Sequence, residues 1–376
     1  MAVKRVVLVG GGHRHMALLA EHRRFADAGI AVALIDPGRF WRGNHVSALM
    51  AGRVTPEALR ASLGRRCRDV RFDYAGTRAI GLDARHQRVW VAGGAMHRYD
   101  AVSIDVGLEP DLDGLDDRGV RVQVWPAHSV AALAQCRDAL DHAPTGRPPR
   151  VAVCGADARA VEVAAGLSRA PRRLSVALYV PGPRLLPEAP RRAVRALVRE
   201  LARRGVDVVM DTAISTLAEA AVLSSDGRAF GADHLVTSHR ERGSRFIHAG
   251  GLPTQAGRLC VNARLHSTVD DRVFAAGGCA RLPGGQVPAP MDVACQARVL
   301  ARNLQARLTR RPLGHYRAGP ERGLIDLADG TALGWWGRFW WRGRWLADYK
   351  HALDGRLDAR LAETAQAQGG AGIADR

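Results

Sequence analysis

The amino-acid sequence predicts an α/β fold with two parallel-sheet units. Three apolar runs support this prediction: VVLVG near the N-terminus, RVAVCG after residue 149 and DRVFAAGG after residue 270. Each run ends in glycine and leads toward a helical pattern, and the first is followed by a second unbroken apolar run, IAVALID. Runs without alternating polar residues are typical of strands buried on both faces of a parallel sheet.

The remaining elements follow in order along the chain. Short extended pieces between turn residues predict a β meander over residues 71–107. The Pro- and Gly-rich stretch HAPTGRPP precedes the second unit, which continues through RLSVALYV, a basic helix over about 188–205 and the strand VDVVMD. A helix over about 291–308, two strands about Asp329-Gly330 and a final helical pattern complete the chain, and the tail from Thr364 is expected to fray.

The composition is that of a globular protein with two or three domains. The chain has 376 residues, of which 47% are hydrophobic, and a formal net charge of +18. All but two of its cations, Lys4 and Lys350, are arginines, and they are spread along the whole chain without a nucleic-acid motif, so we expect no specific nucleic-acid partner. The six cysteines form no C-x-x-C pair, which disfavours a zinc site and suits a reducing cytoplasm. No export signal or membrane-spanning run is recognisable, so we expect a cytoplasmic protein.

The first turn, VVLVGGGHRH, contains part of the dinucleotide fingerprint G-x-G-x-x-G. Gly10 and Gly12 take the first two glycine positions, which provide a tight turn and let the backbone approach a diphosphate. His15 stands at the third position, where we expect a packed or hydrogen-bonded imidazole rather than half of a metal site. Asp36 ends the next strand, where a carboxylate accepts hydrogen bonds from ribose hydroxyls. The sequence therefore predicts a bound dinucleotide, with Arg14 adding a cation near its diphosphate.

These motifs, with YDAVSIDVGLEP, GADARAVEVAAGL and RVFAAGGCA followed by ACQARVLARNL, resemble the two-dinucleotide flavoprotein superfamily that includes type II NADH dehydrogenases and sulfide:quinone oxidoreductases. GGGH-x-H, the DVG after the β layer and LGWWGRFWWRGRWLADYKHALD are most similar to the flavin-dependent modules fused to selenide, water dikinase. The resemblance implies two Rossmann-like domains, of which the first is discontinuous, and a small C-terminal hairpin-plus-helix region. The FAD-binding domain would take residues 1–108 and 266–315, the NAD(P)-binding-like domain residues 109–265, and the C-terminal region residues 316–376.

The resemblance also implies which residues bind the cofactors. FAD would meet the first turn with its diphosphate, Asp36 with its ribose and the backbone near Thr77 with its adenine. Gly107 would close the β layer over the cofactor, and Gly277 and Gly278 would lie beside the ribityl chain. The implied cofactor-binding residues are Gly10, Gly11, Gly12, His13, Arg14, Asp36, Thr77, Gly107, Gly155, Gly277 and Gly278. Gly278 replaces an aspartate that is usual in the superfamily, which weakens the case for tight FAD binding. Glu162 matches a glutamate that lies toward the nicotinamide and flavin rings, and it is the first candidate for a catalytic group.

The second turn, GADARAVEVA, keeps only the first glycine of the fingerprint, Gly155. Asp157 stands at the second position, where a carboxylate would occupy the space and charge that a diphosphate needs. Two alternatives stay open: NAD(P)H binds poorly here, or this half of the fold has become structural. No acid follows the strand VALYV to select NADH, and three arginines would suit a 2′-phosphate, namely Arg172, Arg173 and Arg184.

A dithiol mechanism is not expected, because NHVSALMAG lacks the C-x-x-x-x-C of the disulfide reductases, and Cys295 is expected to be a buried inert thiol. The C-terminal region holds a cluster of tryptophans interleaved with arginines: Trp335, Trp336, Trp340, Trp341 and Trp345. The cluster suits either contact with a membrane interface or a hairpin packed on the fold with some Trp edges exposed.

The function that the sequence predicts is an FAD-dependent oxidoreductase that passes electrons from NAD(P)H through flavin to a quinone-like or other acceptor. The protein would be cytoplasmic, with contact to the inner face of the membrane as an open alternative. Two other functions stay open. One is a non-catalytic flavin-fold partner or electron-transfer protein, which Asp157 and Gly278 favour; the other is a sulfide:quinone-type oxidoreductase, which needs two cysteines close to the flavin.

Overall fold

The computed structural model describes residues 3–41, 45–113, 115, 119–239, 241–286 and 292–353. The strands are β1 (Lys4–Val9), β2 (Ile30–Ile35), β3 (Arg39–Trp41), β4 (Arg60–Ser62), β5 (Asp73–Ala75), β6 (Ala79–Asp83), β7 (Arg88–Val91), β8 (Met96–Arg98), β9 (Ala101–Ile104), β10 (Glu109–Pro110), β11 (Gln123–Pro126), β12 (Arg150–Cys154), β13 (Ser175–Tyr179), β14 (Val206–Val209), β15 (Ile214–Ala218), β16 (Ala221–Ser224), β17 (Ala229–Gly231), β18 (His234–Thr237), β19 (Glu241–Arg242), β20 (Thr254–Gln255), β21 (Arg258–Cys260), β22 (Val273–Ala275), β23 (Ala280–Arg281), β24 (Arg322–Asp326), β25 (Ala332–Trp336) and β26 (Phe339–Gly343).

The helices are α1 (His13–Leu19), α2 (His22–Ala26), α3 (Val46–Met50), α4 (Leu63–Asp69), α5 (Val130–Asp141), α6 (Ala158–Leu167), α7 (Arg191–Arg203), α8 (Arg245–Ala249) and α9 (Val293–Leu308). Residues 344–353 are also helical. The rest of the predicted C-terminal helix and the tail from Thr364 lie outside the described residues. Among the described residues, no helix has the length and apolar character needed to cross a bilayer.

Two five-stranded parallel sheets form the framework, as the sequence predicts. The first has the strand order β22-β9-β1-β2-β5 and the second the order β11-β18-β12-β13-β14. In each sheet the strand before the glycine turn, β1 or β12, is central. The chain continues from it to one side and later returns to the other, at β9 or at β18. Such reversals of strand order create a crevice outside the carboxyl ends of the strands, where ligands bind in doubly wound folds.

Among the described residues, six small sheets complete the fold, and three of them are antiparallel sheets of three strands. The meander predicted over residues 71–107 is confirmed only for residues 79–98, which form β6-β7-β8, because β5 and β9 at its two ends belong to the first parallel sheet. The sheet β15-β16-β17 extends the second unit. The C-terminal hairpin predicted about Asp329-Gly330 is confirmed as β24 and β25. A third strand, β26, pairs with β25 through the aromatic stretch that the sequence analysis left without an element.

The two sheets have separate hydrophobic cores, and one helix of the first unit packs into the second core. Val46, Leu49 and Met50 of α3 belong to the core of the second sheet. Close packing against α6 requires a glycine there, because a β-carbon on Gly166 would lie 2.5 Å from the carbonyl oxygen of Ser47. Trp335 of the C-terminal hairpin is buried in the same core. The C-terminal region is therefore attached to the second unit.

Candidate functional site

The first candidate site lies where β1, β2, β9 and β22 end at one edge of the first sheet. Gly10 follows β1 with a φ of +92°, and its amide donates to the carbonyl of Ile35 at 2.9 Å. A β-carbon on Gly10 would lie 2.5 Å from the carbonyl oxygen of Asp105, so the turn requires a glycine for both its dihedral and its neighbour. The predicted tight turn is thus present at the switch point of the sheet.

Asp36 reaches from the end of β2 to this turn. Its Oδ2 accepts from the Gly11 amide at 2.7 Å, and its Oδ1 accepts from the Gly38 amide at 2.9 Å. The Asp36 amide donates to the carbonyl of Ala75 at the end of β5, and Thr77 follows two residues later. Asp36 and Thr77, predicted for the ribose and the adenine, therefore lie at adjoining strand ends.

Asp105 is the residue of this site that the sequence analysis missed. It follows β9 and is buried, and its Oδ2 accepts from the Arg14 amide at 2.8 Å and from the His15 amide at 3.2 Å. A β-carbon on Gly12 would lie 2.2 Å from the Asp105 carboxyl carbon. The amides at the start of α1 are thus bonded to an acid of the chain rather than bare. The signal was available, because an aspartate directly after a strand beside β1 must lie at the same sheet edge.

Arg14 and Gln296 close the crevice on the side of β22. Gln296 of α9 is buried, and its Oε1 accepts from Arg14 Nε at 3.1 Å and from the Gly277 amide at 3.0 Å. Gly277 has a φ of +71°, and a β-carbon there would lie 2.7 Å from Asp105 Oδ1 and 3.1 Å from Arg14 Nη1. The Arg14 guanidinium and the Asp105 carboxylate therefore face the same point of the crevice.

The two histidines of the turn are held without charge. The His15 Nδ1 donates to the Gly10 carbonyl at 2.7 Å, so its Nε2 accepts from the Ser103 hydroxyl at 2.8 Å. The expected hydrogen-bonded state of His15 is confirmed. Burial lowers the pKa of His15, and burial lowers the pKa of His13 to about 4 against the opposing charge of Asp105.

Two further glycines border open space at this edge. Gly107 has a φ of +70°, and a β-carbon there would meet nothing within 4 Å. A β-carbon on Gly278 would touch Arg258, Gly107 and Leu108 only at ordinary distances of 3.8 to 3.9 Å. The next residue, Cys279, is buried, and burial raises the pKa of its thiol to about 12. The crevice is therefore open beside the two glycines predicted for the flavin half.

The first site fits FAD at both of its ends. Asp36 presents a carboxylate for the ribose, and a β-carbon on Gly107 would meet nothing within 4 Å. At the diphosphate, a ligand would share the start of α1 with Asp105, and Arg14 is the cation placed to offset that carboxylate.

The second candidate site, at the carboxyl ends of β12 and β18, holds a carboxylate of the chain itself at the start of α6. Asp157 is the N-cap of α6, and its Oδ1 accepts from the Ala160 amide at 2.9 Å and from the Ser238 hydroxyl at 3.1 Å. A β-carbon on Gly155 would lie 2.1 Å from Ser238 Oγ. Gly155, the one glycine kept from the fingerprint, therefore leaves room for the Ser238 hydroxyl that donates to Asp157.

A line of charged groups runs from the second turn to the first site. His128 Nε2 lies 3.4 Å from Asp157 Oδ2 and 3.4 Å from Glu241 Oε1. Arg258 lies 4.0 Å from Glu241 and donates to the Gly278 carbonyl. Burial raises the pKa of Glu241, whereas hydrogen bonds and the charge of His128 outweigh burial and lower the pKa of Asp157.

Two of the arginines suggested for a 2′-phosphate lie at the wrong edge of the second sheet. Arg172 and Arg173 precede β13, so they lie at the amino ends of the strands, and Arg172 donates to the carbonyl of Ala143 at 2.6 Å. Arg184 follows β13 and lies at the nucleotide edge, where it donates to the carbonyl of Ala189. The order of these residues along the chain, before the strand VALYV for Arg172 and Arg173 and after it for Arg184, already indicates which edge each one reaches.

Glu162 lies on α6 with its carboxylate in contact with the C-terminal region. It is buried and 2.5 Å from Lys350 Nζ, and it accepts from the Asp326 amide at 3.3 Å. Arg159 lies 3.8 Å away on the same helix. The predicted catalytic group is therefore one partner of a buried ion pair.

The tryptophan cluster divides between two faces of the C-terminal sheet. Trp335 is 4% exposed, and its cross-strand partner Trp340 packs on the second core. Trp336 and Trp341 are 53% and 47% exposed, and Phe339 lies between them and stacks on Trp341 with ring centroids 6.4 Å apart. One face is thus buried and the other exposed, as expected for a strand pair at the surface.

Comparisons with known proteins agree with this architecture. Residues 4–297 match the model of the family described as pyridine nucleotide-disulphide oxidoreductase. The chain is 32% identical over 203 residues to the type II NADH:quinone oxidoreductase of Haemophilus influenzae, a match that covers 49% of this chain and only 46% of that relative. It is 24% identical over 322 residues to the nitric oxide reductase FlRd-NAD(+) reductase of Vibrio vulnificus, covering 82% of this chain and 81% of the relative.

Solved structures share the fold at low sequence identity. The sulfide:quinone oxidoreductase of Aquifex aeolicus superposes with a TM-score of 0.82 at 15% identity, over 96% of this chain and 92% of that one. The reductase in the putidaredoxin reductase-putidaredoxin complex gives a TM-score of 0.72 at 20% identity, over 89% of this chain and 81% of that one. At these identities the likeness concerns the two-sheet fold alone.

Proposed function

The chain belongs to the pyridine nucleotide-disulphide oxidoreductase family, and from this premise we propose that it is an FAD-dependent oxidoreductase. Electrons would pass from NAD(P)H through flavin to a quinone-like or other acceptor. The observation that supports this most is the crevice at the first switch point, where the Gly10 turn, Asp36 and the open space beside Gly107 meet. When bound, FAD supplies the redox chemistry, and the protein supplies its binding and orientation.

In this proposal each predicted residue of the first site has a task that its position allows. Asp36 accepts from the ribose, and the backbone near Thr77 borders the adenine. Gly10, Gly11 and Gly12 keep side chains out of the crevice, while Arg14 offers a cation, and His13 lies beside it. Gly107, Gly277 and Gly278 leave room for the flavin half.

Glu162 stays the first candidate for a group near the reacting rings. Its pairing with Lys350 means that any proton it exchanges involves a second buried charge. Gly155 stays the candidate contact of the pyridine nucleotide at the second turn.

Within the family, we propose that the chain belongs to the group of modules that are found fused to selenide, water dikinase. The structure gives a physical reason for two motifs of that resemblance to occur together. His15 of GGGHRH bonds Ser103, and Asp105 of IDVG caps the helix on which His15 lies. Neither motif satisfies its buried polar groups without the other.

The exposed aromatic face of the C-terminal sheet, formed by Trp336, Phe339 and Trp341, supports contact with the cytoplasmic face of an anionic membrane. Arg322 lies over the Trp336 ring at 5.4 Å and Arg338 over the Phe339 ring at 5.1 Å. Exposed aromatic rings with arginines suit a headgroup interface. Sedimentation with anionic lipid vesicles tests this contact: wild type should bind, and W336A/W341A should bind several-fold more weakly, while equal binding would exclude this face.

The visible spectrum of the purified protein tests the redox function. A flavin spectrum that bleaches on anaerobic addition of NADH or NADPH, and returns on addition of a quinone, is the expected result. A colourless preparation would overturn the proposal. A flavin spectrum that neither nucleotide bleaches would instead favour a flavin-binding partner protein.

A sulfide:quinone-type reaction has less support from the structure. It needs two reactive cysteines close to the flavin, and Cys279 beside the flavin turn is buried with a raised pKa. Cys295 on α9 is exposed, which differs from the buried thiol expected from the sequence.

A further inference from the structure

We propose that Asp157 is a specificity-determining residue that restrains NAD(P)H binding, because its carboxylate takes the place of the ligand's diphosphate at the start of α6. The inference rests on the proposed function and deepens it. A nucleotide that enters the second crevice must either displace Asp157 from its bonds or lie beside its charge.

The position of Asp157 is that of a dinucleotide ligand. The strand order of the second sheet reverses between β12 and β18, and Asp157 and Ser238 follow these two strands. The Asp157 carboxylate bonds the Ala160 amide in the first turn of α6, which has ten residues. Free amides at such a helix start are what bind a diphosphate in related folds.

Three groups hold the carboxylate in place. The Ser238 hydroxyl donates to it, His128 lies 3.4 Å from its second oxygen, and the Ala160 amide completes the set. Gly155 is needed for this arrangement, because any side chain there would collide with Ser238 Oγ. The residues that remain of the fingerprint therefore serve the internal acid.

The surroundings add further negative charge. Glu241 lies on the other side of His128 at 3.4 Å. Glu188, on the loop after β13, has its pKa raised by burial and by the charge of Asp157. The same loop is bonded to the turn through the Leu186 amide and the Ala156 carbonyl at 2.7 Å. A diphosphate at this turn would therefore meet the Asp157 carboxylate, with His128 between it and Glu241.

The cations at this edge have protein acceptors of their own. Arg184 donates to the Ala189 carbonyl, and Arg258 donates to the Gly278 carbonyl and lies 4.0 Å from Glu241. Arg159 lies 3.8 Å from Glu162. Removing the charge of Asp157 should therefore matter more to an incoming diphosphate than any rearrangement of these arginines.

The test is the Kd of NADPH and of NADH, measured by nucleotide fluorescence with wild type, D157N and D157G. D157N keeps a side-chain oxygen that caps the helix and removes the charge, whereas D157G also removes the side chain. We expect the Kd to fall by about tenfold in D157N, since a unit charge a few ångströms from an anion is worth more than 1.4 kcal/mol at a protein surface. In turnover, KM should fall with kcat nearly unchanged.

The matched control is D226N, which removes the same charge from the turn between β16 and β17 of the second unit. Its Kd should equal that of wild type. A folded D157N protein with unchanged or weaker nucleotide binding would overturn the inference, as would an equal gain in D226N. The proposed function fails separately, by the absence of a flavin spectrum in wild type.

Discussion

The two glycine turns of this chain satisfy the first amides of their helices in different ways. At the first turn the acid is Asp105, which reaches across the crevice from the end of β9. At the second turn the acid is Asp157, a residue of the turn itself. The first turn also keeps Asp36 at the neighbouring strand end and open space beside Gly107, and the second is bounded by the loop that bonds Ala156.

The two turns show that a glycine of the fingerprint can be required by close protein neighbours as well as by a ligand. Gly12 has room for no β-carbon because of Asp105, and Gly155 has none because of Ser238. A glycine pattern alone therefore does not establish that a diphosphate binds. What separates the two turns is the acid at the next strand end and the space left beside the turn.

The largest expected effect concerns the helix that follows the second turn. In K350M, Glu162 stays buried and keeps Arg159 at 3.8 Å as an ion-pair partner but loses the closer Lys350, so we expect the free energy of unfolding to fall by about 3 kcal/mol. Urea denaturation measures the loss. The result would show that α6 has a structural task that α1 lacks.

The chain has one other lysine, and it serves as the control. Lys4 pairs with Asp100 at 3.0 Å at the surface, so K4M should change stability by less than about 1 kcal/mol. The double variant E162Q/K350M should regain part of the loss, because no buried charge is left without its partner. Equal losses in K350M and K4M would contradict the structural role of Glu162.

The next effect is steric and acts on the first turn. In G12A the new β-carbon meets the buried Asp105 carboxyl, so we expect a loss of about 1 to 3 kcal/mol of stability and a preparation without flavin. The flavin absorbance per protein chain measures the second outcome. In G107A the new β-carbon meets no protein atom within 4 Å, so within the protein itself the positive φ is what opposes the change, at about 1 kcal/mol. A G12A protein that keeps its flavin would contradict the geometry of this turn.

The sequence predicted the framework of both units because apolar strands and glycine turns are local signals. Asp36 and His15 were predicted correctly in position, since each lies within the first βαβ unit. Asp105 was missed because its partners lie about ninety residues earlier, and only the sheet order brings them together. The 2′-phosphate role suggested for Arg172 was wrong, because Arg172 precedes β13 and so lies at the amino ends of the strands, where it donates to the Ala143 carbonyl.

The C-terminal region was predicted in part. The hairpin about Asp329-Gly330 follows from its turn residues, whereas the strand β26 is short and rich in aromatic and arginine side chains that suit several structures. The pairing of Glu162 with Lys350 joins positions 188 residues apart. No local pattern in the sequence indicates such a contact.

Acid should weaken the first turn before the second. The folded pKa of His13, about 4, is below its ordinary value of 6.5, so the unfolded chain binds a proton between these pH values that the folded chain does not. Stability is therefore lost as the pH falls from 6.5 toward 4, by about 1 to 2 kcal/mol for a half-buried group. The pKa of Asp157 is lowered from 3.8, so its contribution is kept until the pH falls below that value.

Urea denaturation of wild type and H13Q at pH 7 and pH 4.5 measures this difference. H13Q should lose less stability than wild type over this interval, since glutamine binds no proton in either the folded or the unfolded chain. The free energy of unfolding at each pH also contains contributions from the other buried histidines. The quantity to compare is therefore the loss in wild type and the loss in H13Q between the same two pH values. An identical loss in both proteins would contradict the uncharged state of the half-buried His13.

The smallest expected effect is also the one that separates the two turns most directly. In D36N the acceptor of the Gly11 amide loses its charge, and the ribose of FAD loses a carboxylate partner, so we expect the Kd of FAD to rise by about tenfold. The same chemical change at the second turn, D157N, should lower the Kd of NADPH. The Asp-to-Asn change should therefore raise one Kd and lower the other, if Asp36 binds a ligand and Asp157 occupies the place of a ligand's diphosphate. Changes of the same sign, measured by flavin retention after dialysis and by NADPH fluorescence, would mean that the two acids do not differ in this way.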